Sequence, residues 1–250
     1  MRKRPAPDYD RIITTLFQQV RRRKGEAEVL PFSKRDLERC ASAFGIKNVP
    51  DIIYSYRSRN QLPETILRTG NWVIEGRGKS EYAFVRITVS PHIDLPRDLG
   101  AIDIPDATPE IVERYSGSDE QGLLARIRYN RLVDVFTSVT AYLLQSHLRT
   151  TLKQVGQIEI DDLYLGVDTD GRWYILPVEA KGPKERIGRV QISNMTAFAQ
   201  QRFPELTLRP LAAQEFTYGS IFFFEFNGKV EIQEIAVTEA KRYRLIRQER

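Results

Sequence analysis

The first third of the chain shows a helical pattern of hydrophobic positions. Apolar residues recur at helical spacing between residues 9 and 20, which predicts an amphipathic helix: Ile12, Ile13, Leu16, Phe17 and Val20. A capping signal that starts at Ser33 predicts a second helix ending near Gly45. Two more short helices are predicted after Pro50 and Pro63.

The pattern then changes to that of strands. Segments 72–74 and 82–89 are rich in apolar and aromatic residues, and the glycine-rich basic segment Gly76–Lys79 joins them. This predicts a β-hairpin. Helices followed by a hairpin with a basic tip are typical of a winged helix. We therefore predict a winged-helix-like DNA-binding domain over residues 1–90, with a small structural α+β domain as the alternative.

Residues 91–121 differ in composition from both neighbouring segments. Prolines are interspersed with acidic residues here, and Ser116–Ser118 adds a flexible tripeptide. This composition predicts a proline-rich linker or an extended crossing segment.

Residues 122–250 combine both periodicities. The apolar spacing predicts helices and strands in the following order: helix from 123 to about 152, strands 158–165 and 173–180, helix 187–202, strands 220–226 and 230–237. Such an order predicts an α/β (α+β) domain in which helices flank a mixed central sheet.

Composition excludes several classes of protein. The 250 residues include one cysteine and two histidines, too few for a disulfide framework or a Cys/His zinc site. The basic start of the chain is not followed by an apolar signal core, and no apolar run is long enough to cross a bilayer. We expect a soluble, cytoplasmic protein.

Positive charge is concentrated near the amino terminus. Residues 1–35 hold ten Lys and Arg against four Asp and Glu, a balance of +6 (10 − 4), whereas the whole chain carries +5. Clustered cations attract phosphates, although a solvated basic surface is the alternative. The predicted contacts to double-stranded DNA are Arg21, Arg22, Arg23, Lys24, Lys34, Arg35, Tyr56, Arg57, Arg59, Asn60, Arg77 and Lys79.

Candidate catalytic residues lie on the two predicted strands 158–165 and 173–180. The first carries Asp161 and Asp162, and Glu179-Ala180-Lys181 ends the second. Side chains alternate along a strand, so Glu179 and Lys181 share a face, and pairing of the two strands would bring an aspartate beside them. Carboxylate oxygens bind Mg²⁺, and a lysine can position or deprotonate the attacking water in phosphodiester hydrolysis.

The Glu-x-Lys spacing alone is weak evidence, because Glu239-Ala240-Lys241 repeats it near the end of the sequence. The second copy follows no aspartate-bearing strand, and too few residues follow it to form a helix. For the first copy, the alternative interpretation is an ion pair at the end of a surface strand.

The segments Ile158–Gly166 and Pro177–Gly182 resemble the PD-(D/E)XK nuclease superfamily, in particular bacterial proteins of restriction-endonuclease type. The resemblance implies the Glu-x-Lys roles for Glu179 and Lys181, and the metal-binding role for Asp161 or Asp162. It also implies a match between Gln191 and a glutamine that many members carry on the next helix. The motif's leading proline is absent, which leaves the choice of aspartate open, and Glu159 is a further candidate ligand.

The resulting expectation is a Mg²⁺-dependent DNA endonuclease, of type II restriction kind, acting on a specific double-stranded site. A homodimer is expected by analogy, because two active sites suit a two-fold symmetric substrate. One alternative is a repair or recombination nuclease for branched or damaged DNA. The other is a non-enzymatic DNA-binding regulator whose second domain dimerises.

Overall fold

A computed structural model of the protein describes residues 7–46, 49–96, 98–117, 119–153 and 155–247. The chain divides into two compact units. The first comprises residues 1–91, 150–158 and 188–191, and the second comprises residues 92–149, 159–187 and 192–250. From residue 92 onwards, the segment that we predicted to be a linker belongs to the second unit, where it contributes a strand and a helix.

The first unit combines helices with a small sheet. Its elements are α1 (Pro7–Lys24), β1 (Val29–Ser33), α2 (Lys34–Ser42), α3 (Val49–Tyr54), a π-helical turn (Ser55–Arg59), α4 (Glu64–Leu67), β2 (Asn71–Gly76) and β3 (Glu81–Ile87). The predicted capping signal is confirmed, because the Asp36 N–H donates to Ser33 Oγ and the Ser33 N–H donates back to Asp36 Oδ2. The predicted first helix and the hairpin are also confirmed.

β1 is a strand that the sequence pattern did not reveal. It pairs with β3 in an antiparallel ladder, so the sheet has the order β1-β3-β2. Only Leu30 and Phe32 of its five residues face the core, and such a short alternation around Pro31 gives a weak signal. Phe32 packs on Phe84, which in turn lies 5.1 Å from the ring of Phe17 on α1.

The second unit is built on one large sheet. Its elements are β4 (Ala101–Pro105), α5 (Glu110–Tyr115), α6 (Glu120–Tyr129), α7 (Leu132–Thr137), β5 (Thr140–Leu152), β6 (Gly156–Val167), β7 (Trp173–Lys181), α8 (Arg189–Arg202), β8 (Thr207–Leu208), β9 (Leu211–Thr217), β10 (Ser220–Phe226) and β11 (Val237–Ile246), of which β5, β6 and α8 each have one end assigned to the first unit. In the described residues the sheet order is β4-β11-β10-β9-β7-β6-β5, with β8 beside β7.

The sheet is mixed, and helices cover both of its faces. β6 pairs antiparallel with β7, whereas β9 is parallel to β7 and β4 is parallel to β11. Residues of α6 and α7 form a core with Val178 and Ala180, while Ala199 of α8 packs with Ile175 and Leu163. Because neighbouring residues of β7 point to opposite faces, these helices lie on opposite sides of the sheet. The α+β class is thereby confirmed.

The predicted long helix from 123 to about 152 is wrong. The chain leaves the helical conformation at Arg131 and Ser138, whose φ angles of 47° and 56° are left-handed, and then forms the strand β5. The apolar spacing simply continued across these breaks. The strand predicted at 230–237 is also wrong, since β11 begins at Val237, and β9 was not predicted.

The tip of the β5–β6 hairpin belongs to the first unit and contacts the tip of the β2–β3 hairpin. A Cβ atom added to Gly76 would lie 1.7 Å from the backbone oxygen of Val155. Only glycine allows this approach of two backbones. In the described residues, no helix has the length and apolar character needed to cross a membrane.

Candidate active site

Glu179 and Lys181 lie side by side on β7, between the neighbouring strands β6 and β9. Both side chains are buried, and the Lys181 Nζ donates to Glu179 Oε1. Alternation along the strand accounts for their shared face, as we predicted. A buried ion pair costs desolvation energy that hydrophobic residues would not incur, so it points to a role other than stability.

Asp161 joins this pair from β6. The β6–β7 ladder runs from Val167↔Trp173 to Asp162↔Val178, so Asp161 is the first residue beyond the end of the ladder. There the buried Asp161 carboxylate accepts the Ala180 N–H at 2.8 Å. This contact fixes Asp161 beside the backbone segment that carries Glu179 and Lys181.

Asp162 is buried in a separate network. Its carboxylate accepts Arg128 Nε at 2.9 Å, the Ser146 hydroxyl at 2.7 Å and the Tyr164 hydroxyl at 3.0 Å. Arg128 also donates to Ser146, at 2.6 Å. The charge of Asp162 is thus neutralised and its oxygens are hydrogen bonded, whereas Asp161 faces acidic neighbours.

Glu120, the first residue of α6, is a part of the acidic cluster that sequence reasoning missed. Its side chain is hydrogen bonded to Asp161, and its negative charge raises the pKa of both Glu179 and Lys181. A hydrogen bond between two carboxyl groups requires one of them to carry a proton. Glu120 follows the helix cap Asp119, whose Oδ1 accepts the Gly122 N–H, so its sequence signal is that of an ordinary acidic helix start.

Glu159 precedes Asp161 by two residues on β6, on the same face of that strand. Arg149 of β5 donates to its carboxylate at 3.2 Å. The negative charge of Glu159 contributes to the raised pKa of Glu179. The cluster therefore comprises four carboxyl groups and one buried lysine: Glu120, Glu159, Asp161, Glu179 and Lys181.

Burial and mutual repulsion change the protonation of the cluster. Burial, followed by the charge of Glu179, raises the pKa of Asp161 to about 7. Burial also raises the pKa of Glu179. For Lys181, burial alone would lower the pKa, but Glu179, Asp161 and Glu120 outweigh it and the pKa is raised. At neutral pH the ammonium form of Lys181 is therefore the stable one.

The cluster has the donor chemistry of a divalent-cation site. Hard carboxylate oxygens suit Mg²⁺, and a cation would relieve the repulsion that raises the pKa of Asp161. Within the described ranges, no three His, Cys, Asp or Glu side chains are already arranged as a metal-binding group. Glu179 contacts Lys181 and Asp161 contacts the Ala180 N–H, so metal binding would require these side chains to reorient.

Gln191, the remaining predicted catalytic residue, lies in the first turn of α8. It belongs to the first unit, together with residues 188–190. Its backbone N–H donates to the Gly188 oxygen at 3.1 Å.

The predicted DNA-contacting cations of the first unit are mostly at its surface. Arg22, Arg23, Lys24, Arg35, Arg77 and Lys79 are exposed. Several of these cations have acidic partners: Arg21 contacts Glu26 at 2.6 Å, Arg77 contacts Glu75 at 2.8 Å, and Lys34 lies 3.4 Å from Glu38. Exposed pairs of this kind are weak and readily exchanged for phosphate.

The predicted recognition segment 56–60 is placed differently. Tyr56 is buried and its hydroxyl donates to Asp10, so it is a core residue of the first unit. Arg57 is partly buried, and its Nε has no hydrogen-bond partner among the described residues. Asn60 is partly buried and its N–H donates to the Ser55 oxygen, while the side chain of Arg59 lies outside the described residues.

Comparison with known proteins gives no relative from which a function could be transferred. No protein-family model, no curated protein and no solved structure matches the chain.

Proposed function

We propose that this protein is a Mg²⁺-dependent DNA endonuclease with a restriction-endonuclease-like core. Its active site would consist of Asp161, Glu179 and Lys181, with Glu120 as a fourth member. The observation that carries the proposal is an acidic cluster around one lysine, in which Asp161, Glu179 and Lys181 are buried and the pKa values of both carboxyl groups are raised. A purely structural strand has no use for such a cluster, because each buried carboxylate costs desolvation energy.

The contrast between the two aspartates supports Asp161 as the metal-binding residue. Asp162 is saturated by Arg128, Ser146 and Tyr164, and it would have to give up these partners to bind a cation. Asp161 has acidic neighbours and a raised pKa, so a cation would lower its energy. Glu179 and Glu120 would complete the carboxylate donors.

When bound, Mg²⁺ supplies Lewis-acid activation of water and neutralises charge on the leaving oxygen. The role of Lys181 follows from its protonation. As an ammonium group it cannot accept the proton of the attacking water. It can orient that water and offset the negative charge that develops on the phosphate in the transition state. We therefore assign Lys181 to positioning and electrostatic stabilisation, and not to general-base catalysis.

The first unit supports double-stranded DNA as the substrate. Its order of elements is a helix, a strand, three short helices and then a hairpin, and β3 of the hairpin pairs with β1. This order fits a winged-helix-like domain. The exposed cations of α1, α2 and the hairpin tip provide the positive charge that phosphates require. Recognition of a specific site would place the protein among restriction-type enzymes.

The test is cleavage of mixed plasmid and phage DNA with Mg²⁺ and with a chelator. Wild type is compared with Glu179→Gln and Lys181→Ala. The chain provides its own matched controls, Glu239→Gln and Lys241→Ala, which alter the same tripeptide on β11. We expect discrete, metal-dependent fragments from wild type and both controls, and none from the two active-site variants.

Other outcomes would redirect the assignment. Cleavage of branched or damaged DNA alone would favour a repair nuclease with the same active site. If every variant shifts DNA in a binding assay and none cuts methylated, unmethylated or branched substrates, the catalytic proposal fails and a DNA-binding regulator takes its place.

A further inference from the structure

The two edges of the large sheet differ in how they are protected. A strand at a sheet edge presents unpaired backbone N–H and C=O groups that can bind another strand, and proteins normally shield such edges. β4 forms one edge in the described residues and β5 forms the other.

The β4 edge is shielded. The strand is only five residues long and ends at Pro105. Asp103, in its centre, accepts two hydrogen bonds from Arg244, both at 2.7 Å. Short length, proline and charge are three common means of preventing edge-to-edge pairing.

The β5 edge is not shielded in this way. The strand has thirteen residues, and from Thr140 to Leu148 it contains no Asp, Glu, Lys or Arg. Tyr142, Leu143 and Leu144 are 62%, 44% and 48% exposed. Three consecutive exposed apolar residues on a long edge strand form a surface that is prone to association with another chain unless a partner covers it.

The neighbouring residues delimit the open part of this edge. The Ala141 N–H already donates to Asp134 Oδ1 at 3.0 Å. His147 has a left-handed φ of 49°, which interrupts the regular strand. The segment available for pairing is therefore Tyr142–Ser146, a length typical of natural strands.

We infer that Tyr142–Ser146 pairs antiparallel with the same segment of a second copy of this chain. Backbone groups at an edge require a strand as partner, which favours a chain segment over a small molecule. A two-fold axis near Leu144 would place uncharged residues opposite one another along the whole segment. This matters because a charged residue near the axis would face the same charge on the other copy, and Tyr142–Ser146 contains no charged residue.

The pairing closes on itself. An isologous contact uses the same edge in both copies, and the shielded β4 edges remain outside, so the dimer cannot grow into a fibre. The inference does not rest on the nuclease assignment. If that assignment holds as well, the dimer supplies two active sites for the two strands of a duplex.

The experiment is sedimentation equilibrium of the full chain between about 1 and 100 µM, without DNA or metal. Leu144→Lys places two ammonium groups near the two-fold axis, so we expect its dimer to dissociate at roughly tenfold or higher concentration than that of wild type. The matched control is Tyr115→Lys, which adds the same charge at an apolar residue that is 80% exposed on α5. Circular dichroism verifies that both variants are folded.

Hydrogen exchange of the amides of Tyr142–Ser146 gives a second measurement, and it should slow as wild-type concentration rises. A wild-type protein that stays monomeric over the whole range would overturn the inference. An unaffected dimer in Leu144→Lys, or open-ended assemblies of wild type, would also overturn it. None of these results depends on whether the protein cuts DNA.

Discussion

The chain contains two copies of the tripeptide Glu-Ala-Lys, and their comparison shows what the motif does by itself. Both copies lie on strands of the same sheet, 179–181 on β7 and 239–241 on β11. In both, the lysine forms an ion pair with the glutamate two residues earlier, at 2.6 Å for Lys241 and Glu239. The tripeptide on a strand is thus sufficient for an ion pair.

The surroundings of the two copies are different. Side chains of Glu179 and Lys181 are 2% and 4% exposed, whereas those of Glu239 and Lys241 are 40% and 35% exposed. Asp161 and Glu120 adjoin the first copy, while the Lys241 ammonium lies over the ring of Phe136. Neighbouring elements, and not the tripeptide, therefore create the candidate active site.

Replacing the glutamate of each copy by glutamine should give the largest difference between the copies, in the rate of DNA cleavage. We expect Glu179→Gln to reduce the single-turnover rate of DNA cleavage by at least about 10³-fold, because it removes a carboxylate donor where charge develops. Glu239→Gln should cut at the wild-type rate. Equal rates for the two variants would remove the distinction between the copies and contradict the assignment of Glu179.

Replacing the lysine of each copy by alanine shows how much each ion pair contributes to the free energy of unfolding. Lys181→Ala leaves buried carboxylates without a counter-charge, and we expect a loss of about 3–5 kcal/mol in the free energy of unfolding at pH 8. Lys241→Ala breaks an exposed pair and should cost at most about 1 kcal/mol. Urea titration of both variants measures this, and a similar small loss in both would show that Lys181 is solvated.

The charge of Asp161 should destabilise the metal-free protein at neutral pH. Its pKa is about 7 in the folded state against 3.8 for the unfolded chain, so the folded state holds the proton more tightly. The contribution of Asp161 to the free energy of unfolding is complete below pH 3.8 and is lost as the pH rises to about 7. The difference between the two pKa values corresponds to a loss of roughly 4 kcal/mol in the free energy of unfolding, as an upper bound.

Asp161→Asn should therefore be more stable than wild type above pH 7, by about 2 kcal/mol, while being inactive. The gain should shrink towards pH 4, where wild-type Asp161 is protonated. Unfolding in urea with chelator at several pH values checks this. Asp162→Asn provides the contrast, since it deprives Arg128 of its counter-charge and should destabilise the protein at neutral pH.

Addition of Mg²⁺ should give the smallest effect. A ligand that binds only the folded state at ten times its Kd raises the free energy of unfolding by about 1.4 kcal/mol. We expect this increase for wild type and for Glu239→Gln, and its loss in Glu179→Gln. Thermal unfolding with Mg²⁺ and with chelator measures it. An increase that persists in Glu179→Gln would place the cation elsewhere.

Local patterns predicted the elements that carry the first copy. The strands around Asp161 and Glu179, the turn between them and the helix after them were expected from periodicity, and β6 does pair with β7. The choice between Asp161 and Asp162 required the partners of each, because two consecutive carboxylates on a strand look alike in sequence. Arg128, which decides the matter, is 34 residues away.

Non-local contacts account for what the sequence did not reveal. Glu120 reaches the cluster from a helix 41 residues before Asp161, and its sequence context is that of a helix cap. β5 continues an apolar spacing that suits a helix, and only the left-handed residues Arg131 and Ser138 end the helices before it. Backbone conformations of this kind have no clear signature outside glycine and asparagine.

The Arg128–Asp162 pair also specifies the register of β6. A strand shifted by one residue turns every side chain to the opposite face. Such a slip would turn the Asp162 carboxylate, which is fully buried, away from the guanidinium group of Arg128, and Asp162 would lose its counter-charge. The cost of an unpaired buried charge therefore selects one alignment during folding, and that alignment is the one in which Asp161 stands beside Glu179.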